Sequence, residues 1–190
     1  MRYKVVTEQP SSQISDAGMP GDAQPVLVLQ GGGALGAYQV GAFEALCACD
    51  FAPQWVAGIS IGAINAALIA GNTPENRHRR LNEFWERASS QAAWPAFPLF
   101  VPGGSQALLD EWNAGAIMLA GVPGFFKPRF PPLPFQPVDD LTALSFYDTS
   151  PLRETLEQMV DFDLINSKRG VRISVGAVNV ATGELVYFDN

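Results

Sequence analysis

Two short glycine motifs constrain this chain more than any other feature, because each follows an apolar run and opens a helical pattern. The first run is PVLVLQ, with Val26 to Leu29 continuously apolar. Such runs suit a strand buried on both faces, as in a parallel sheet. GGGALG follows at Gly31 to Gly36, and then a helical pattern with Val40, Phe43, Leu46 and Cys47 on one side. The second run, Trp55 to Ile59, enters a sharp turn and then GAINAALIAG. Strand–helix–strand–helix with short connections predicts an α/β layered fold. In that fold both turns fall at the same edge of a parallel sheet.

The two motifs differ in what they can do. Glycines at Gly31, Gly32, Gly33 and Gly36 expose N–H groups at a helix N-terminus. Those groups can hold a pyrophosphate. They can equally hold the oxyanion of a tetrahedral intermediate. The second motif, Gly58-Ile59-Ser60-Ile61-Gly62, has the form G-x-S-x-G between an apolar strand and a helix. That is the setting of a nucleophile elbow, in which Ser60 is held up at a helix N-terminus with small neighbours on both sides. The competing reading is a Gly-rich turn with a capping serine. The two motifs together are far less easily reached by chance than either alone.

Two rival chemistries fit less well. A dinucleotide-binding oxidoreductase wants an acid at the end of its second strand, ~20 residues past the glycines. Asp50 has that spacing but precedes the second strand. An α/β-hydrolase triad wants a late histidine after its serine and acid. The one histidine, His78, comes soon after Ser60 in a charged helix pattern. Ser60 then has no histidine base, and an aspartate acting directly is the remaining option.

The rest of the chain is read more coarsely. Residues 1–24 are polar and form an expected flexible tail, with 25–190 as one domain. Thr73-Pro74 starts a helix that buries Leu81, Phe84, Trp85 and Ala88, and Ser150-Pro151 starts another with Leu152, Leu156 and Met159 inward. Residues 94–147 hold most of the prolines and half of the aromatics, and are expected to be an irregular insertion around one helix. Its rings either pack on the sheet or cover a lipid-sized cavity. Lys127 and Arg129 beside Phe125 and Phe126 offer a local contact to a membrane or lipid droplet. Ala-Thr-Gly predicts a three-residue hairpin with Gly183 left-handed. Cys47 and Cys49 read as small core residues. With two cysteines and one histidine no metal site is expected, and no cofactor. The net charge of −7 disfavours nucleic acid as a partner. No apolar leader or ~20-residue membrane span is seen, so a cytoplasmic location is expected, with peripheral membrane contact as its one extension.

The pairing of LVLQGGGALGAYQVGAFEAL with VAGISIGAINAALIAG resembles the patatin-like phospholipases. The likeness is strong over residues 26–71 and continues less specifically through SVGAVNVATGELVYFDN. It implies a three-layer α/β fold with a mainly parallel central sheet flanked by helices. It also implies a serine lipid acyl hydrolase with a Ser–Asp dyad. Carried over, Ser60 matches the nucleophile, with Gly58, Ile59, Ile61 and Gly62 forming its elbow. Gly31, Gly32, Gly33 and Gly36 match the oxyanion-hole loop. Many members have Arg or Lys where this chain has Leu35, so a cationic contribution is missing here. The family's aspartate lies in D-G-G or D-G-A, and no Asp here is followed by Gly-Gly or Gly-Ala. Asp189, Asp139, Asp140 and Asp148 are not that motif. The expectation is therefore a fold incomplete at its C-terminus, whose catalytic Asp lies beyond Asn190 and which is inactive alone. A non-catalytic lipid-binding or interaction module is the alternative.

Overall fold

The computed structural model describes residues 24–90, 122, 124–129, 147–167 and 169–190. Two strand–turn–helix units open it. β1 (Val26–Leu29) leads through the glycine loop and a 3-10 segment (Gly33–Ala37) into α1 (Tyr38–Ala48). β2 (Trp55–Ile59) passes through the single residue Ser60 into α2 (Ile61–Ala70). The chain continues with α3 (Pro74–Ser90), a small antiparallel ladder of β3 (Lys127–Pro128) and β4 (Tyr147–Asp148), then α4 (Ser150–Met159) and α5 (Phe162–Asn166). β5 (Arg172–Val178) and β6 (Leu185–Asp189) close it.

The main sheet has the order β1-β2-β5-β6. β1, β2 and β5 are parallel, and β6 returns antiparallel along β5. This is the expected α/β class: a mainly parallel sheet flanked by helices. The register sets Leu29 beside Gly58 and Ile59 beside Gly176. Parallel pairing in that register brings the ends of β1 and β2 level, so both glycine turns leave the sheet at one edge.

Side chains alternate across the strands. Leu29, Val56 and Ile173 point to one face and are buried there. α2 lies on that face. It is apolar nearly all round, and a helix of that kind has to be covered on several sides. Ile61, Ala66, Leu68, Ile69 and Ala70 are all buried, with Val56 fully so beneath them. α3 covers the outer side through Leu81 and Phe84, each 1% exposed. Burying side chains of this size contributes roughly 1.5–3 kcal/mol each. Among the described residues the opposite face is open, with Val28 73% and Tyr187 63% exposed.

Helix ends are closed by side chains. Arg77 Nε donates to the carbonyls of Ile69 (2.9 Å) and Asn72 (3.2 Å), where α2 ends. A cation suits that end of the helix dipole. Asn72 Nδ2 donates to the carbonyls of Leu68 and Met159, tying α2 to α4. Thr73 precedes α3 as expected, and Leu152, Leu156 and Met159 of α4 face the core.

Three details depart from the sequence reading. Cys47 and Cys49 are exposed free thiols rather than core residues: burial along α1 stops at Val40 and Phe43, and the two cysteines lie at its end. The β5–β6 hairpin loop is one residue longer than Ala-Thr-Gly. The Asn179 N–H donates to the Glu184 carbonyl (2.8 Å), leaving Val180 to Gly183 between them. Gly183 does take a left-handed φ of 72°. Finally, α5 was not foreseen. Asp161 caps it by accepting from the Leu164 N–H at 2.9 Å.

Residues 1–23 of the tail expected over 1–24, the helix within residues 105–121, and Asp139 and Asp140 lie outside the described residues. Phe125 and Phe126 are described, and they pack inward. Phe125 meets Phe84 at 5.7 Å between ring centres, and Phe126 meets Tyr147 at 4.7 Å.

Candidate active site

Ser60 is the whole of the turn between β2 and α2, and its backbone is strained to make it so. Its φ is 56° and ψ −125°, a region that a residue with a Cβ rarely enters. Such a conformation costs of order 1–3 kcal/mol and persists only where the surroundings enforce it. Here the enforcement is close backbone packing. A Cβ on Gly62 would run into the Leu29 carbonyl and stand 2.8 Å from the Gln30 carbonyl oxygen. A Cβ on Gly58 would collide with the Gly62 carbonyl and come within 2.6 Å of the Ala63 nitrogen. The G-x-S-x-G spacing is therefore a steric requirement of this turn. Ile59 and Ile61 flank the serine, the first half-exposed and the second buried.

The capping reading of Ser60 fails. Its hydroxyl makes no cap bond to α2, although its carbonyl accepts from the Ala63 N–H at 2.9 Å. The side chain is exposed, and its oxygen has no hydrogen-bond partner among the described residues. It stands instead beside the first loop. A Cβ built on Gly31 would lie 3.2 Å from Ser60 Cβ and 3.9 Å from Ser60 Oγ.

The first loop presents backbone. Gly33 has a φ of 56°, and Gly32 a φ of 152°. The Leu35 N–H is used inside the turn, on the Gly32 carbonyl at 3.2 Å. The N–H groups of Gly32 and Gly33 have no acceptor among the described residues. Gly31, Gly32, Gly33, Ala34 and Leu35 are exposed, while Gly36 is buried against Ile61 of α2 and Trp85 of α3. The structure thus brings together an unpartnered hydroxyl and unpartnered amides at adjacent strand ends. The first turn of α2 adds the positive end of its dipole. Negative charge developing near Ser60 would be met from both sides.

No described carboxylate or imidazole joins them. His78 stands on α3, where Nε2 faces Glu44 at 3.2 Å. Asp148 caps α4, accepting from the Ser150 N–H and hydroxyl at 2.9 Å each. Those two bonds, with Lys127 beyond them, hold its carboxyl down to about 2. Asp189 lies in β6 opposite Ser174, two residues back along β5 from the level of Ile59. Arg172 binds both its oxygens, and Ser174 Oγ donates to it at 3.0 Å. The Arg172 contact, first of all, holds the Asp189 carboxyl below the usual range. Asp50 precedes β2 with a φ of 58°, so the strand-end acid of a dinucleotide site is missing. The Cys47 thiol is pushed up by desolvation, with Arg77 opposing, which argues against a reactive thiolate there. Among the described residues no three His, Cys, Asp or Glu side chains gather as metal ligands. No described helix is long and apolar enough to cross a membrane.

Sequence reasoning missed one part of this region. Asn65 of α2, 1% exposed, donates through Nδ2 to the Gly36 carbonyl (3.0 Å) and to Gln39 Oε1 (2.8 Å). Its Oδ1 accepts from Trp85 Nε1 at 3.1 Å. A lone amide in an otherwise apolar helix was the available signal, since a buried polar group demands partners.

A mainly parallel α/β sheet with a serine elbow beside a bare glycine loop defines a class of hydrolase-like sites rather than one activity. The patatin-like phospholipase family model matches residues 27–188, and the chain belongs to that family. Membership carries lipid acyl hydrolysis as the general class of activity, with lipids as the substrates. No curated protein and no solved structure matches the chain.

Proposed function

We propose that Ser60 is the nucleophile of a serine lipid acyl hydrolase of the phospholipase or esterase type. Its oxygen attacks an ester carbonyl, and the Gly31 to Gly36 loop stabilises the oxyanion through the free N–H groups of Gly32 and Gly33. The elbow of Gly58, Ile59, Ile61 and Gly62 holds the nucleophile in place. Water then hydrolyses the acyl–Ser60 ester. The observation that carries this reading is the strained, unpartnered Ser60 beside amides that are themselves unpartnered. Strain at a site of this kind points to function rather than to folding.

The proton on Ser60 goes, in this proposal, to an aspartate of the family's D-G-G or D-G-A type, absent from residues 1–190. The 190-residue chain alone is then slow. Losing one oxyanion donor costs ~10²–10³ in rate at such sites, and losing the base costs at least as much. Incubation with a p-nitrophenyl ester tests this: the chain is expected to show no sustained turnover. Sustained turnover abolished by Ser60→Ala would contradict the missing base while supporting the nucleophile. A second reading, a lipid-binding module without catalysis, is favoured by one observation only, the lack of a described carboxylate at Ser60.

A further inference from the structure

The glycine loop is held at both ends by one line of side-chain amides, buried at Asn65 and half-buried at Gln39. Trp85 Nε1 of α3 donates to Asn65 Oδ1 at 3.1 Å. Asn65 Nδ2 donates to Gln39 Oε1 of α1 at 2.8 Å and to the Gly36 carbonyl at 3.0 Å. Gln39 Nε2 then donates to the Gln30 carbonyl at 2.8 Å. An indole N–H can only donate and a backbone carbonyl can only accept. Those two kinds of end fix the orientation of both amides, so the line has one direction.

We propose that Asn65 and Gln39 are positioning residues that aim the loop's N–H groups at the carbonyl attacked by Ser60, an inference resting on the Ser60 reading above. Gln30 and Gly36 bracket the glycines. Within a trans peptide the C=O and the next N–H point in opposite directions. Holding the Gln30 carbonyl toward Gln39 therefore fixes which way the Gly31 N–H points. Holding the Gly36 carbonyl fixes where the 3-10 segment leaves. Between these two pins lie Gly31, Gly32 and Gly33, which have the least intrinsic stiffness of any residue. Without the pins, amides at 32 and 33 would sample directions useless to an oxyanion. An oxyanion hole works because its donors are in place before charge develops. Asn65 has a further advantage of location: it is on α2, five residues after Ser60, so nucleophile and loop are referenced to one rigid helix.

The test separates the last bond of the line from the rest. Gln39→Glu keeps an acceptor for Asn65 but cannot donate to Gln30, and Gln39→Met removes both. Gln39 is half-buried in the first turn of α1, and the melting temperature of each variant reports whether it folds. The full-length protein, which supplies the aspartate of the proposed function, is labelled at Ser60 with a fluorophosphonate, and rate and affinity are measured separately. Both variants should lower the maximal labelling rate about tenfold or more, with unchanged affinity and a melting temperature near wild type. Gly32 and Gly33 amide resonances should shift in both, while those of β5 stay. Labelling at the wild-type rate with unmoved glycine amides would overturn the proposal. If wild type takes no label at Ser60, the nucleophile reading falls, and the amide shifts alone decide whether Gln39 pins the loop.

Discussion

The sheet has polar groups at two places, and they are treated in opposite ways. On the open face, Trp55, Arg172, Ser174 and Asp189 satisfy one another. Arg172 grips Asp189 and lies 4.0 Å over the Trp55 ring, Trp55 Nε1 donates to Ser174 Oγ at 2.8 Å, and Ser174 Oγ donates to Asp189. At the carboxyl edge of the same strands, Ser60 Oγ and the Gly32 and Gly33 amides satisfy nothing. The first group ties β2, β5 and β6 into register. The second is strained and left open, while the buried Asn65 behind it is fully bonded. The saturated set is structural; the exposed, open set is the one proposed above to react, its hydroxyl and amides being free to meet a substrate.

That contrast can be broken at either place. The largest effect is expected at the elbow's packing. Gly62→Ala drives a methyl into the Leu29 carbonyl, and thermal unfolding should report a loss of about 3 kcal/mol or a failure to fold. Mild destabilisation would mean that β1 and α2 are not in backbone contact. Next is Asn65→Ala, which strands the Trp85 N–H and the Gly36 carbonyl. Urea denaturation should show a loss of about 1–3 kcal/mol. Ser60→Gly should move the other way, gaining about 1 kcal/mol because glycine accepts a φ of 56°, and it should lose all covalent labelling. If it destabilises, the strain is not real.

The smallest effects belong to the saturated set. Asp189→Asn should lower the melting temperature slightly and leave Ser60 labelling unchanged. Its pH dependence has a definite sign. The folded carboxyls of Asp189 and Asp148 both lie below their ordinary values, the latter at about 2. Their contribution is therefore complete above the ordinary aspartate range and fades as pH falls toward the folded values. A melting curve followed from pH 5 to pH 2 should drop in wild type. In a variant carrying both Asp148→Asn and Asp189→Asn the drop should be smaller. An equal drop in both would assign the acid sensitivity elsewhere.

The two turns were legible in the sequence because their rules are local. G-x-S-x-G needs only five residues, and each glycine answers a clash within five residues or with the neighbouring strand. The same holds for Gly183 and for the helix starting at Pro74. What was not legible depends on distance in the chain. Asn65 meets Gly36, Gln39 and Trp85 across 20 to 29 residues, and nothing in GAINAALIAG says which partners it has. The exposure of Cys47 failed for a related reason. The period placed it beside Phe43, but only Val40 and Phe43 of α1 are buried, and Cys47 stands in the last turn, beyond the packed part of the helix. Asp189 could be set aside on sequence for lacking a following glycine. Its grip by Arg172, from the start of β5, needed the hairpin register.

The proposed nucleophile can be tested most directly by treating the full-length protein, which supplies the aspartate of the proposal, with a fluorophosphonate and mapping the adduct by mass spectrometry. A single phosphonyl group on the peptide containing Ser60, missing from Ser60→Ala, is the result expected. Modification of another serine, or equal labelling of Ser60→Ala, would contradict the assignment of that hydroxyl as the reacting group.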